Sequence, residues 1–394
     1  MKQNLFCYRI VALLFFVGFF ASLSIPAFSS TATGTIGTIS YECAEAGWPS
    51  RYARCLTVDH QGNLWAAFMM EKEYMKWVGP AFRPLDNASP PKLITGNIPW
   101  VQINSFLSGS DRSFFAATDA GLFRLNSPNQ ASEPIWASIA TNLRVTHLAE
   151  NADRQIWFGG STPDLKPFLG AIPASVPVLA FGKDRDDRPL QIVWPSHDSV
   201  CLVTQGNIWK AHGKKLLPIN LKNTPLWKKS PRTSERRTPE IWIYQAAQAA
   251  SETVYLIGHT RKLVRWSGEK MDAVAQGHFA EIAVVPGSSS LYLRDFEGGI
   301  FFFNGTTLQT LVADKNSDWG HLCAGTDGAL WIEKAYRQQP HEMWHFSSPQ
   351  ARKPDKIWSL GRGTCLSPGL LSLLPAPDGG LLMATNDGIW ILHR

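Results

Sequence analysis

The sequence predicts an all-β fold of eight antiparallel sheets arranged around a ring, and three observations support this prediction. First, an apolar strand, a polar turn and a second strand recur from about Arg54 to the last residue. Second, the Asp residues of these turns recur roughly every 40 to 50 residues, the period of propeller blades. Third, helical periodicity is weak throughout the chain. We therefore predict a single β-propeller of eight four-stranded blades, with seven blades as the alternative.

Each unit begins with an apolar strand that is predicted to lie innermost in its blade, because strands covered on both faces are apolar at nearly every position. Asp and Gly suit the turns that follow, since Asp bonds its own backbone and Gly accepts positive φ. The third unit is the weakest, because its tail over residues 168–183 is rich in proline. The innermost strands are predicted at Cys55–Val58, Val101–Leu107, Val145–Ala149, Gln191–Trp194, Ile241–Gln245, Ala280–Val285, His321–Ala324 and Leu371–Pro375.

The ring is predicted to close through its two ends. A strand near Thr35–Tyr41 would pair with Ile389–Leu392 of the last unit, which brings both termini together. Closure removes the exposed edge that an open ring would offer to other chains. The propeller domain is accordingly assigned to residues 30–394.

The composition agrees with a large buried core. Hydrophobic residues make up 44% of the 394 residues and charged residues only 18%, which excludes a disordered chain. The 16 Trp and 21 Phe are spread along the sequence, as in propellers that fill the wedges between blades with aromatic rings. Core packing is therefore the first interpretation of any single Trp.

Residues 1–29 have the features of a secretory signal peptide. Lys2 and Arg9 precede the apolar run Ile10–Phe20, and Ala27–Ser29 fits a small-x-small cleavage site. We therefore expect a periplasmic or secreted protein that is cleaved near Ser29. The alternative is an uncleaved membrane anchor, because the apolar segment nearly reaches bilayer length.

An exported chain can keep disulfides, and five cysteines follow the signal segment: Cys43, Cys55, Cys201, Cys323 and Cys365. The odd number leaves at least one thiol unpaired in a monomer. Cys43–Cys55 and Cys323–Cys365 are candidate pairs, while Cys201 and Cys323 also fit small buried hydrophobic residues. None of the spacings is typical of a metal site, so we expect no metal and no cofactor.

The formal net charge is +6, and much of the excess lies between Lys214 and Arg237. Pro218, Pro225 and Pro231 argue against a regular strand in this stretch. It could meet lipid headgroups, acidic polysaccharide or an acidic protein, and the simpler interpretation is a solvated loop between blades. Export argues against nucleic acid as a partner.

Four segments resemble the two-component regulator propeller family. They are Val58–Ala67, Thr118–Leu125, Gly325–Ile332 and Pro377–Trp390, which are similar to that family's motif of Asp-x-x-Gly-x-Leu-Trp-x-Gly-Thr followed by Gly-Leu-x-Arg. The motif describes turns and packing, so the resemblance implies a fold more than a function. In that family the propeller is usually the periplasmic sensor of a membrane histidine kinase and often senses sugars. This chain shows no kinase region and no second long apolar stretch, so we expect sensing to require a separate membrane partner.

The sequence carries no recognisable catalytic motif. It has no Gly-x-Ser-x-Gly elbow and no phosphate-binding Gly-rich loop with Lys-Ser or Lys-Thr. The segment from His341 to His345 has the spacing of a zinc motif, but it is predicted to be a strand, on which the two imidazoles would stand about 13 Å apart. We therefore assign no catalytic and no metal-binding residue.

Candidate ligand-binding residues lie near the start of the innermost strands, because these positions crowd around one mouth of the central channel. Arginine pairs with carboxylates and tryptophan packs against sugar rings, so the set favours an anionic, planar or sugar-like ligand. The alternative is that each residue has only local partners at a strand edge. The set is Arg54, Trp100, Arg144, Arg188, Glu240, His278, Trp319 and His321.

Two functions from different classes follow. The first is a non-catalytic sensor or scaffold module of the cell envelope, which binds an envelope protein or a carbohydrate-like ligand and touches the membrane only through an uncleaved N-terminal segment. The second is a hydrolase or lyase that acts on a carbohydrate or lactone-like substrate at the central funnel, with Glu240 and His278 as its candidates. The absence of catalytic motifs favours the first.

Overall fold

A computed structural model of the protein describes residues 32–34, 37–42, 52–69, 77–84, 92–93, 102–126, 135–172, 178–180, 187–228, 241–250, 252–313, 318–335, 342–359, 372–385 and 388–392. Strands and turns account for these residues, and none of them is helical. The strands form eight blades around a ring, which confirms the predicted eight-bladed β-propeller over the seven-bladed alternative.

The strands follow one another from the innermost to the outermost position of each blade. The two strands nearest the N-terminus are β1 (Ala32–Gly34) and β2 (Gly37–Glu42). Blades 1 to 4 comprise β3 (Tyr52–Val58), β4 (Asn63–Met69), β5 (Trp77–Pro84) and β6 (Lys92–Leu93); β7 (Ile103–Ser108), β8 (Phe114–Thr118), β9 (Gly121–Asn126) and β10 (Ile135–Thr141); β11 (Arg144–Glu150), β12 (Ile156–Ser161), β13 (Pro167–Ile172) and β14 (Val178–Ala180); and β15 (Pro189–Ser196), β16 (Ser199–Thr204), β17 (Ile208–His212) and β18 (Lys215–Pro218).

The second half of the ring repeats this order. Blades 5 to 8 comprise β19 (Ile243–Gln248), β20 (Thr253–Gly258), β21 (Lys262–Ser267) and β22 (Lys270–Gln276); β23 (Phe279–Val284), β24 (Leu291–Asp295), β25 (Gly299–Phe303) and β26 (Leu308–Ala313); β27 (Asp318–Ala324), β28 (Leu330–Ala335), β29 (Glu342–Phe346) and β30 (Lys356–Ser359); and β31 (Ser372–Pro375), β32 (Leu381–Thr385) and β33 (Gly388–Leu392).

The last blade is completed by the first strands of the chain. β2 pairs antiparallel with β33, with Ile39 opposite Leu392 and Glu42 opposite Ile389, and β1 adds a fifth strand outside β2. The innermost strands contact one another in order around the ring, and β31 contacts β3. The two ends of the propeller therefore meet in one sheet.

Blades 3 and 4 are joined at their outer edges. The short strand β14 runs parallel to β18, with Leu179 opposite Lys215 and Ala180 opposite Leu216, so the two blades form one eight-stranded sheet. This pairing explains the weak third repeat. Its outermost strand, β14, has only three residues and pairs with β18 of blade 4.

The turns use the predicted Asp and Gly chemistry. In the first blade, Oδ1 of Asp59 accepts hydrogen bonds from the backbone N–H groups of Gln61 and Asn63, at 2.8 and 2.9 Å. Gly62 in this turn has a φ of 77°, which a residue without Cβ adopts at little cost. The other carboxylate oxygen of Asp59 accepts the indole N–H of Trp65 at 2.7 Å, so the turn also orients a core ring.

Aromatic rings fill the wedges between blades, as the composition predicted. Trp65 is fully buried, with its ring centre 4.6 Å from that of Phe82 in its own blade and 4.5 Å from that of Phe114 in the next blade. Trp331 is likewise buried and stacks on Trp358 at 5.1 Å. Each ring contributes a large apolar area to the core.

A β-bulge recurs near the start of the innermost strand in blades 1 to 7. A bulge inserts an unpaired residue, bends its strand and re-aims nearby side chains. The register with the second strand shifts after Ala53, Ile103, Val145, Pro189, Ile243, Phe279 and Trp319.

Several polar side chains at these bulges bond the backbone of the neighbouring innermost strand. The Gln245 side chain donates to the Ile282 carbonyl at 3.0 Å and accepts the Ile282 N–H at 2.7 Å. Asn104 donates to the carbonyl of Val145 at 2.7 Å. We call these contacts clasps, and they tie consecutive blades together beside the channel.

Two expectations from the sequence are corrected. The stretch from Lys214 to Arg237 begins as strand β18 rather than as a loop, because Pro218 stands at the end of that strand and Pro225 beyond it. Cys55 and Cys323 are free thiols, not halves of disulfides with Cys43 and Cys365. Burial raises the pKa values of Cys55, Cys201 and Cys323 to about 12, so these thiols stay protonated at neutral pH. Residues 1–29, Cys43 and Cys365 lie outside the described residues.

Candidate functional site

One mouth of the central channel gathers the starts of the innermost strands and the turns between the second and third strands. These features lie at the same end of each blade because consecutive strands are antiparallel. The ion pair between Arg144, the first residue of β11, and Asp119, in the β8–β9 turn, shows this juxtaposition with an N–O distance of 3.0 Å. The mouth divides into a polar, an aromatic and a charged sector.

The polar sector spans blades 2 and 3. Asn104 donates to Oδ1 of Asp119 at 2.9 Å, and its own side-chain oxygen accepts the amide of Gln102 at 2.8 Å. Arg144 completes this network through its ion pair, and its side chain remains 51% exposed. A guanidinium held in this way can still offer its other N–H groups to an anion.

The aromatic sector spans blades 5 and 6. Phe296, in the β24–β25 turn, is 57% exposed, and its ring centre lies 4.6 Å from that of His278 and 5.8 Å from that of Tyr244. Tyr244 is the bulge residue of β19, and Trp242, just before that strand, is 39% exposed. The sector thus presents flat apolar surface to solvent.

The charged sector spans blades 6 and 7 and centres on Glu281. Its Oε2 accepts a hydrogen bond from Arg294 Nη2 at 3.2 Å, and its Oε1 lies 3.2 Å from Nδ1 of His321. The same Oε1 accepts the Leu322 N–H at 3.2 Å, which is the clasp between these blades. The carboxylate is only 14% exposed, whereas the imidazole is 53% exposed and reaches solvent at the mouth.

A second carboxylate approaches this sector from β28. Glu333 is 2% exposed, and its side chain occupies the space that a Cβ on Gly320 would need. Gly320 therefore admits the buried carboxylate beside His321. Hydrogen bonding to Glu281 is the main cause that raises the pKa of His321, and the charges of Glu281 and Glu333 add to it against the opposing effects of burial and Arg294.

The structure places most of the predicted mouth residues near this end of the ring. Arg188 and His278 directly precede β15 and β23, and Arg54 lies at the bulge of β3. Arg188 is exposed, whereas Arg54 is half-buried. Trp100 and Glu240 lie outside the described residues.

Trp319 has a packing role at the interface of blades 6 and 7. It is 6% exposed, and its indole N–H donates to the carbonyl of Gly298 at 3.0 Å. The Lys334 ammonium lies 5.3 Å from the ring centre of Trp319 and 4.3 Å from that of Trp344. The two rings meet edge to face at 5.2 Å, so the Trp319 ring is not available to a ligand at the mouth.

Sequence reasoning missed Glu281, Arg294, Tyr244 and Phe296. The first three lie inside predicted strands, where period-2 patterning shows a polar position but not its neighbour across a blade interface. Phe296 carries the one available signal, because a Phe between Asp295 and Glu297 breaks the polar turn pattern.

The segment from His341 to His345 does not form a metal site within the described residues. His345 lies on β29, as predicted for a strand, is 1% exposed, and has Nδ1 3.1 Å from Oδ1 of Asp355. His341 lies outside the described residues. Across the described ranges, no three His, Cys, Asp or Glu side chains are grouped as metal ligands would be.

None of the described segments is a helix with the length and apolarity needed to cross a bilayer.

Comparisons with known proteins agree on the fold. No profile of a known protein family matches the sequence, and no curated protein matches it. The solved structure of Sqt1 from Chaetomium thermophilum has a TM-score of 0.58 at 10% identity, over 87% of this chain and 96% of that chain. The computationally designed Ika8 protein has a TM-score of 0.57 at 10% identity, over 87% and 96% of the two chains. This chain has a β-propeller fold.

One further match is to a domain of a two-component system. The extracellular domain of the putative hybrid two-component system BT4673 from B. thetaiotaomicron aligns over 90% of this chain and 55% of that chain, at 11% identity and a TM-score of 0.36. A likeness at this level carries no argument for this chain.

Proposed function

We propose that this chain is a non-catalytic binding module of the cell envelope, and that it holds a segment of a partner protein at the mouth of its channel. One observation carries the proposal: Trp242 and Phe296 expose 39% and 57% of their surface in the aromatic sector. The other large hydrophobic residues exposed within the described chain are aliphatic. Exposed aromatic rings are typical of binding surfaces.

The surroundings of these rings fit a protein partner. The centres of protein interfaces are enriched in aromatic residues and arginine, and their rims are polar. Here the aromatic and charged sectors share blade 6, and the polar sector lies farther around the mouth, in blades 2 and 3. In the Sqt1 crystal structure the propeller is bound to the N-terminus of the ribosomal protein L10, which shows that a ring of this type can hold a protein segment.

The envelope location rests on the signal-peptide features of residues 1–29. The repeats' resemblance to two-component regulator propellers supports a sensor or scaffold role that works through a separate membrane protein. No observation on the described residues favours the hydrolase or lyase alternative, because Glu240 lies outside them and His278 packs against Phe296.

Site-specific cross-linking in intact cells tests this proposal. Benzoylphenylalanine replaces Phe296 at the mouth or, as the matched control, Ile357, which is 51% exposed on the outermost strand of blade 7. We expect a discrete protein adduct from position 296 and none from position 357. If the variant with the cross-linker at position 296 is secreted normally but forms no adduct with an envelope protein, the proposal is overturned.

A pair of double variants then tests the contact directly. The mouth variant is Trp242→Ala with Phe296→Ala, and the control is Leu217→Ala with Ile357→Ala on outer strands. The mouth variant should bind the cross-linked protein at least about tenfold more weakly, since interface aromatics often contribute more than 1 kcal/mol each. Equal affinity in both variants contradicts the proposal. If a saccharide binds to the wild type and the control but not to the mouth variant, the ligand of the mouth is a carbohydrate and not a protein.

A further inference from the structure

A cavity lies between blades 4 and 5, away from the mouth residues described above. Its volume is about 430 Å³, within the range of small-ligand sites. It is bounded by the β15–β16 turn and β17 of blade 4, by residues 219–224, and by the β21–β22 turn of blade 5. Residues 219–224 directly follow β18, the outermost strand of blade 4.

The walls of this cavity are held in place by buried anchors. Leu221 and Leu226, from the connection, are each 2% exposed and pack into the core between blades 4 and 5. The Gly268 N–H donates to the carbonyl of Pro195 at 2.5 Å, which ties the turn of blade 5 to the turn of blade 4. The cavity is therefore preformed, which reduces the entropy lost on binding.

Neutral hydrogen-bonding groups line one side. Asn220 uses its side-chain oxygen to accept the Lys222 N–H at 3.1 Å, which leaves its amide N–H groups free to donate. Thr224 donates its hydroxyl hydrogen to the Leu221 carbonyl at 2.7 Å, which leaves its lone pairs as acceptors. Trp266 and Met271 supply the apolar part of the lining.

The lining also contains one cation and one anion, Lys210 and Glu269. Within the described residues, neither side chain forms an ion pair with the other or with any further group. The adjacent Lys270 is paired instead with Asp272, at 3.0 Å. Lys210 is half-buried on β17 and Glu269 is exposed in the β21–β22 turn, so each charge borders the cavity without a counter-ion from the described part of the protein.

We propose that this cavity binds a small zwitterion of amino-acid or dipeptide size, with its carboxylate at Lys210 and its ammonium at Glu269. A simple anion would be repelled by Glu269, and a simple cation by Lys210. A neutral molecule would leave both charges without a counter-ion. The side chains of Asn220 and Thr224 form hydrogen bonds with the remaining polar atoms of the ligand, and Trp266 and Met271 pack against its apolar side chain. The inference is independent of the function proposed for the mouth.

Calorimetry with the full-length mature protein and L-alanyl-L-alanine tests the proposal. Two analogues serve as matched controls: the N-acetylated dipeptide lacks the ammonium, and the C-terminal amide lacks the carboxylate. Each analogue lacks one of the two charge-assisted hydrogen bonds, so it should bind at least about tenfold more weakly than the dipeptide. Equal binding of all three compounds would overturn the proposal. It would also be overturned if none of the three, and neither alanine nor trialanine, binds at millimolar concentration.

Two variants assign the ends of the ligand. Lys210→Met should bind the dipeptide and its amide equally, and Glu269→Gln should bind the dipeptide and its acetylated form equally. Lys214→Met, an exposed lysine outside the lining, should keep the wild-type preference for the dipeptide over both analogues. If Lys210→Met and Glu269→Gln keep the wild-type melting temperature and still bind the dipeptide more tightly than both analogues, other residues contact the charged ends of the ligand.

Discussion

Gln245 of blade 5 and Glu281 of blade 6 occupy the same position in consecutive blades, directly after the bulge of the innermost strand. Both bond the backbone of the next blade. The amide of Gln245 donates to and accepts from Ile282, so the backbone satisfies both ends of the side chain. The carboxylate of Glu281 accepts a single backbone N–H, from Leu322, and has acceptor capacity left for the side chains of Arg294 and His321.

The comparison shows how one position can serve structure in one blade and provide a charged surface in the next. An amide has both a donor and an acceptor and is complete when it clasps a peptide group. An ionised carboxylate only accepts, so it attracts cations to its remaining lone pairs. The charged sector of the mouth therefore follows from exchanging an amide for a carboxylate at a position that the fold already uses.

The largest effect is expected in blade 3, where the residue after the bulge is His147. Burial lowers the pKa of His147 to about 4, against the opposing hydrogen bond to the backbone of Leu190. The unfolded chain binds the proton near pH 6.5 and the folded chain does not, so stability is complete above about pH 6.5 and falls as the pH drops towards 4. The loss should reach roughly 2 to 3 kcal/mol.

Urea unfolding between pH 7.5 and 4 measures this loss. His147→Gln, which has no titrating group, should flatten the part of the curve between pH 6.5 and 4. A variant that loses as much stability as the wild type over this interval would show that other groups cause the acid sensitivity.

Gln245→Ala should break the neutral clasp and cost roughly 2 kcal/mol in the free energy of unfolding, because it leaves the N–H and C=O of Ile282 without partners. Chemical denaturation measures the effect. Gln276→Ala, an exposed glutamine on the outermost strand of the same blade, is the control and should change stability by less than about 0.5 kcal/mol. Equal losses in the two variants would mean that the clasp contributes nothing.

Glu281→Gln should convert the clasp of blade 6 into that of blade 5. We expect a stability loss below about 1 kcal/mol, because the amide oxygen still accepts the Leu322 N–H and a partly exposed ion pair contributes little. Binding of the proposed protein partner at the mouth should weaken, since the charge that holds Arg294 and His321 is gone. If unfolding becomes much easier, Glu281 is mainly a structural residue.

The smallest effect concerns the titration of His321, whose pKa is raised mainly by its hydrogen bond to Glu281. The protonated imidazole stabilises the folded state below its ordinary pKa of about 6.5, and this contribution disappears as the pH rises through the raised value. NMR titration should show a lower midpoint for His321 in Glu281→Gln than in the wild type. An unchanged midpoint would locate the cause in Glu333 or another group.

The fold could be predicted largely from the chain because its signals are local. The turn of Asp59 and Gly62 is closed by bonds within a few residues, and similar turns recur at the blade period. The candidate site could be predicted only in part. His278 and His321 were placed near the start of their strands, but their partners were missed. Phe296 lies in a different turn of the same blade as His278, and Glu281 lies in the blade before that of His321.

By itself, the sequence determined an all-β ring of repeated blades, since strand alternation, turn residues and repeat spacing are all properties of neighbouring residues, and the structure decided eight blades over seven. Only the tertiary structure decided which side chains meet at the interfaces between blades. Glu281 contacts His321 of the next blade, and Lys210 lines the same cavity as Glu269 of the next blade, although the residues of each pair are distant in sequence. The physical reason is that a bulge turns a side chain towards the next blade, and nothing in its own repeat records what that blade presents.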